Sequence, residues 1–155
     1  DREQMDAMVA TYREYNITHH DTRVTVYPSV VETVRALHAG GVRVGLVTSK
    51  NRTGALRGLR LAGLEDVMAV IVGADDVTEH KPHPAPVLRA LELLGEEPGR
   101  AIYVGDSIHD MQSGRAAGTA TGAVLWGPFG RDVLAPTAPD HWFGAPAELG
   151  ALLTD

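Results

Sequence analysis

Short apolar runs that alternate with helix-length segments restrict this chain to a narrow class of folds. Residues 42–47 (Val-Arg-Val-Gly-Leu-Val), 69–72, 101–104 and 121–126 are brief and mostly Val, Ile, Leu and Ala. Such runs read as strands buried on both faces. Between them, the spacing of apolar residues predicts helices over residues 53–62, 84–94 (stopped by Gly95) and 107–117. An earlier helix opens at Pro28, places Val30, Val31, Val34 and Leu37 on one face, and stops at Gly40 and Gly41. Strands separated by helical segments of about ten residues imply parallel βαβ units with right-handed crossovers. The expected fold class is therefore α/β, a parallel sheet flanked by helices. Residues 2–19 add an amphipathic helix carrying Met5, Met8, Val9, Tyr12 and Tyr15. At the other end, a Gly- and Pro-rich linker over 127–139 leads to a strand over 141–143 and a final helix over 146–153.

At 155 residues, 44% of them hydrophobic, the chain can bury the core of one domain. It has no cysteine, which excludes disulfides, thiolate metal sites and cysteine nucleophiles. No apolar run approaches a membrane span, and the polar start Asp1-Arg2-Glu3-Gln4 is unlike a signal peptide, so a cytoplasmic protein without a membrane partner is expected. A net charge of −6 without a Lys/Arg cluster argues against nucleic acid. A small phosphorylated substrate remains compatible, since a few local cations and a metal decide its binding.

In a parallel sheet, ligands bind beyond the carboxyl ends of the strands. Three strand ends lead into polar residues: Thr48-Ser49-Lys50, Lys81-Pro82 (more loosely, since Gly73 to His80 intervene), and Gly105-Asp106-Ser107. Asp106 and Asp110 are four residues apart at a helix start, and two such carboxylates repel unless a cation lies between them. A hard divalent ion, magnesium by preference, would relieve that repulsion. A plainer reading makes Asp106 the helix cap and lets Asp110 favour the positive helix end. Lys81, held extended by Pro82, can neutralise a phosphoryl oxygen, or it can be a solvated surface lysine. Thr48 and Ser49 offer a hydroxyl and backbone N–H groups to an anion, or simply cap the next helix. The histidines are scattered, with no HExxH pattern, and neither Ser49 nor Ser107 lies in a Gly-x-Ser-x-Gly elbow.

In order along the chain, Val44-Gly45-Leu46-Val47-Thr48-Ser49-Lys50, His80-Lys81-Pro82-His83-Pro84 and Tyr103-Val104-Gly105-Asp106-Ser107-Ile108-His109-Asp110 resemble three successive motifs of the haloacid dehalogenase-like hydrolases. The stretch Met111 to Gly118 is also similar. Tyr12-Arg13-Glu14-Tyr15-Asn16 and Tyr27-Pro28-Ser29-Val30 resemble the phosphoglycolate phosphatases and related pyrophosphatases of that superfamily, at the end of their helical cap and the return into the core. The resemblance implies a Rossmann-like core over residues 25–155 and the tail of a cap over 1–24. It implies phosphate binding by Thr48, Ser49 and Lys81, catalytic roles for Lys81 and Asp106, and Mg²⁺ on Asp106 and Asp110. In the family Asp110 supports the ion directly, through water, or by orienting Lys81. Ser49 replaces the commoner asparagine.

One departure carries most weight. The family's nucleophile lies in an Asp-x-Asp motif on a first, central strand, and no two aspartates here are separated by a single residue. The resemblance thus implies a core lacking its first strand, within a longer protein, and negligible turnover by these residues alone. The complete enzyme would be an Mg²⁺-dependent phosphatase acting through an aspartyl phosphate. Alternatives are a haloacid dehalogenase, which needs no metal, a phosphonatase, or a non-catalytic phosphate-binding module. A receiver-like module would carry its acidic residues before the Lys-Pro, not after it.

Overall fold

The computed structural model describes residues 1–153, apart from the side chains of Arg13, Asn16, Ile17 and His20. Among residues named from the sequence, the side chains of Arg13 and Asn16 therefore lie outside the described set. Helix α1 (Arg2–Arg23) is followed by α2 (Val30–Ala39), β1 (Val44–Val47), α3 (Arg52–Ala62), β2 (Met68–Val72), α4 (Ala85–Leu94), β3 (Ile102–Gly105), α5 (Ile108–Ala116), β4 (Ala120–Val124), α6 (Arg131–Leu134) and β5 (His141–Phe143). A 3₁₀ segment, Pro146–Leu153, closes the described chain.

All strand pairings are parallel, as βαβ connections require. They form two sheets, β1-β2 and β3-β4-β5, and β1 does not pair with β3. The fold is the expected α/β arrangement of parallel strands flanked by helices, divided in the middle. Helix α4 spans the division. Its Ala90 packs with Val70 and Val72 of β2, whereas its Val87 and Leu91 pack with Ala117 and, on β3, Tyr103. On the opposite face of β1-β2, Leu59 of α3 packs with Leu64 and Val67, joined by Val31 and Val34 of α2 and by Leu46 and Ile71. Under the second sheet, Met111 of α5 and Ala123 of β4 meet Leu134 and Trp142.

Among the described side chains of helix α1, none belongs to this core. Met5, Met8, Tyr12 and Tyr15 are exposed, and an ion pair from Arg57 to Asp21, 2.8 Å, ties the helix end to α3.

Several boundaries differ from the sequence expectation for local reasons. The helix expected from Pro28 starts at Val30, because Val30 N–H closes a turn onto Tyr27 C=O and Ser29 stands at φ 64°. The strand expected from residue 42 starts at 44, because Val42 N–H is spent on Leu37 C=O at the end of α2. The linker over 127–139 contains α6, whose Leu134 is fully buried. The expected final helix is 3₁₀, with Gly150, a poor helix former, in its middle.

Gly58 lies inside α3, and a Cβ there would meet nothing within 4 Å. Gly58→Ala should therefore stabilise the protein by about 0.5–1 kcal/mol, since alanine loses less backbone entropy in a helix. A higher urea midpoint is expected; a lower one would mean the site lacks that room.

Candidate active site

The site is assembled from the carboxyl ends of β1 and β3 and the loops after β2 and β4. Thr48 N–H donates to Val72 C=O at 3.0 Å, extending the β1-β2 pairing by one residue. Thr48 Oγ1 accepts from Lys50 N–H at 3.2 Å, and Asn51 caps α3 by accepting from Gly54 N–H at 2.9 Å. Ser49 N–H has no acceptor among the described residues, so it is available to an anion beside the Thr48 hydroxyl.

The loop after β2 is fixed before it reaches Lys81. Asp76 accepts from Gly73 N–H at 2.8 Å, and Lys50 C=O accepts from Ala74 N–H at 2.8 Å. Beyond Lys81, Ser113 Oγ of α5 donates to His83 C=O at 2.9 Å. Lys81 is thereby pulled inward, its side chain only 14% exposed, and Nζ donates to Asp110 Oδ1 at 2.6 Å.

Asp110 is satisfied on both oxygens. Oδ1 accepts from Lys81 and, at 3.3 Å, from Tyr103 OH; Oδ2 accepts from Ser107 N–H at 3.1 Å and Ser107 Oγ at 2.7 Å. Ser107 is the N-cap of α5, and its Oγ accepts from Asp110 N–H, completing a capping box. Burial pushes the Asp110 carboxyl up, but the hydrogen bonds from Lys81 and Ser107 and the lysine charge outweigh it and leave the carboxyl below its usual range. Burial and the Asp110 charge push the Tyr103 phenol up, so it remains a donor.

Asp106 is the opposite case. Burial first, then the charge of Asp110, raises its carboxyl above the usual value. No donor of another residue reaches its carboxylate among the described residues. A half-buried carboxylate that receives no hydrogen bond from another described residue, beside a second carboxylate, fits a hard cation with oxygen ligands. Asp110, with both oxygens engaged, fits support at one remove better than direct ligation.

Thr48, Lys81, Asp106 and Asp110 all line one groove of about 430 Å³ between β1 and β3, together with Tyr103 and Trp126. Ser49 stands in an adjoining recess with Thr48 and Lys81. Asp106 does not cap the helix: the cap is Ser107, which leaves Asp106 outside α5 with its carboxylate uncommitted. Sequence reasoning missed the roles of Ser107 and Tyr103. The first was readable as a Ser-x-x-Asp capping box; the second depends on contact across the groove, where Tyr103 OH also lies 3.5 Å from Val47 C=O.

The family profile for haloacid dehalogenase-like hydrolases matches residues 1–124. The pyrophosphatase PpaX of Bacillus pumilus (strain SAFR-032) is 42% identical over 153 residues, 99% of this chain and 71% of that protein. A Lactobacillus plantarum protein described as a phosphoglycolate phosphatase superposes with a TM-score of 0.86 at 30% identity, covering 98% of this chain and 72% of that one. A Bacteroides fragilis protein described as a haloacid dehalogenase-like hydrolase superposes with a TM-score of 0.89 at 27% identity, covering 96% and 71%.

A carboxyl held below its unfolded value stabilises the fold above that value, and the contribution is lost as pH falls through the folded one. Asp110→Asn should therefore cost about 3 kcal/mol near pH 7, where Lys81 is left without its counter-charge. Urea unfolding should show the gap to wild type closing on acidification below the ordinary carboxylate value of 3.8. A gap independent of pH would remove the Asp110 charge as its source.

Proposed function

The chain belongs to the haloacid dehalogenase-like hydrolase family, and from that premise we propose that it serves a magnesium-dependent phosphatase of small phosphorylated metabolites, with a pyrophosphate- or phosphoglycolate-type substrate. The observation that carries this reading is the convergence of Thr48, Lys81 and Asp106 on one groove, with the Asp106 carboxylate free and Lys81 held by Asp110.

The chain's own residues bind and orient the phosphoryl group. The Thr48 hydroxyl and Ser49 N–H hold one oxygen, and the Lys81 ammonium, fixed by Asp110, offsets charge on another. A magnesium ion held by Asp106, with Asp110 at one remove, supplies further positive charge against the phosphoryl oxygens. Asp110 holds the Lys81 ammonium in position, and Tyr103 and Ser107 keep Asp110 in place.

The nucleophile in this proposal is an aspartate outside these 155 residues. It attacks phosphorus in line, the P–O bond to the leaving phosphate or glycolate breaks and the departing oxygen takes its proton from water. A second water then cleaves the aspartyl phosphate to release inorganic phosphate and return the carboxylate. Residues 1–24 are read as the tail of a helical cap and 25–155 as a core whose central strand belongs between β1 and β3. The exposed apolar residues of α1, the unpaired facing edges of β1 and β3, and the 71–72% coverage of the PpaX proteins support this. The relatives named as pyrophosphatase and phosphoglycolate phosphatase support the substrate class. The uncommitted acid at Asp106 favours metal-assisted phosphate chemistry over the metal-free dehalogenation.

Phosphate release from pyrophosphate, phosphoglycolate and p-nitrophenyl phosphate tests the proposal. A protein carrying the upstream segment should turn over with Mg²⁺ and stop in EDTA, and Asp106→Asn or Lys81→Ala should lower kcat by at least about 100-fold. The 155 residues alone should lose on the order of a millionfold. Full activity from the 155 residues would sink the assignment of an external nucleophile. Mg²⁺ binding without turnover by the longer protein would turn the reading toward a non-catalytic phosphate-binding module.

A further inference from the structure

The loop after β4 returns over the end of β3. Trp126 lines the groove with Asp106, and Gly127 lies directly against the Asp106 side chain. A Cβ on Gly127 would stand 2.5 Å from Asp106 Cβ, 2.7 Å from its Oδ2 and 3.0 Å from its Cγ. Real Cβ atoms do not approach so closely. The obstacle is steric alone, since Gly127 does not have the left-handed φ that itself demands glycine. Nor is the loop free to retreat. Leu125 N–H donates to Phe143 C=O at 2.9 Å, and farther along Leu134 is fully buried while the Arg131 guanidinium lies 4.1 Å over the Trp142 ring. On the other side, β3 is fixed by its pairing, Gly105 opposite Ala123.

Metal-ligating side chains are as a rule oriented by hydrogen bonds from their neighbours. Asp110 has four such bonds, whereas Asp106 receives none from another residue. What restricts the Asp106 carboxylate is the bare backbone on which it lies. We propose that Gly127 is a positioning residue for Asp106: by lacking a side chain it gives the carboxylate its seat and so sets where that oxygen is offered to the cation. This rests on Asp106 being the magnesium ligand of the proposed phosphatase. Gly127 itself touches neither metal nor substrate.

The test is metal binding without substrate, by Mn²⁺ electron paramagnetic resonance with Mg²⁺ competition, on the protein carrying the upstream segment. Gly127→Ala should weaken metal binding about 10- to 100-fold and, because the Asp106 Cβ cannot rotate away from the added methyl, should also lower the melting temperature in EDTA. Gly99→Ala, at a glycine whose Cβ would meet nothing within 4 Å, should bind as wild type. Gly127→Ala is therefore repeated in an Asp106→Gly background, where the obstructing side chain is gone. Equal melting temperatures for that double variant and Asp106→Gly alone are expected; the same loss in both backgrounds overturns the proposal. If Asp106→Asn binds metal like wild type, the metal assignment itself fails. If Asp106→Asn loses the metal while Gly127→Ala keeps it, Asp106 remains the ligand and the role of Gly127 is refuted.

Discussion

Lys81 and Asp110 join two sheets that share no backbone hydrogen bond among the described residues. Lys81 follows β2 and Asp110 opens α5 above β3, so their 2.6 Å contact bridges the carboxyl ends of the two halves. Tyr103 adds a second crossing, from β3 toward Val47 of β1. A pair this buried must recover its desolvation through geometry and further hydrogen bonds. Here Ser107 supplies two of them from the helix cap, so the local rule that starts α5 also fixes the bridge between the sheets.

The same cap divides two neighbouring carboxylates into opposite kinds. Ser107 gives its N–H and hydroxyl to Asp110, and Lys81 arrives on the other oxygen, so the Asp110 carboxyl is held below its usual range. Asp106 falls one residue before the cap and receives nothing from it; burial and the adjacent negative charge then raise its carboxyl. Environments that push two acids apart also separate their tasks. In the proposed site the saturated one positions Lys81, and the unsaturated one binds the cation.

Elements that depend on local pattern were legible in the sequence. The β-branched runs became β1 to β4, and the apolar spacing of Val87, Ala90 and Leu91 became the helix that spans both sheets. Thr48, Lys81 and Asp106 were legible as residues beyond strand ends because a parallel sheet points its carboxyl ends the same way, and Asp110 by its four-residue spacing from Asp106. What was not legible depends on approach in space. Helix α6 forms where Leu134 finds a cavity beneath α5 and β4, and its Gly- and Pro-rich flanks hide it. The seat of Asp106 on Gly127 joins positions 21 apart, and no periodicity announces it. Of the two readings open for Asp106, the plainer one fails by a single residue: Ser107 holds the cap, and the Asp106 carboxylate lies outside it.

The groove between the sheets is graded. Leu46, Val47, Val104 and Val124 line its body, while Thr48, Lys81 and Asp106 stand at the carboxyl end. Two unpaired edges facing each other across apolar walls would be costly to leave open, because their backbone groups need partners. In the proposed complete core, the strand that pairs with both edges is buried on each side and hence apolar along its length. Its final residue then emerges beside the Thr48 hydroxyl and the Lys81 ammonium. An aspartate at that point would have its charge offset by Lys81 and would face a phosphoryl group held by Thr48. The same pairing that would close the sheet would thus deliver the nucleophile, which makes completion of the fold and completion of the active site one event.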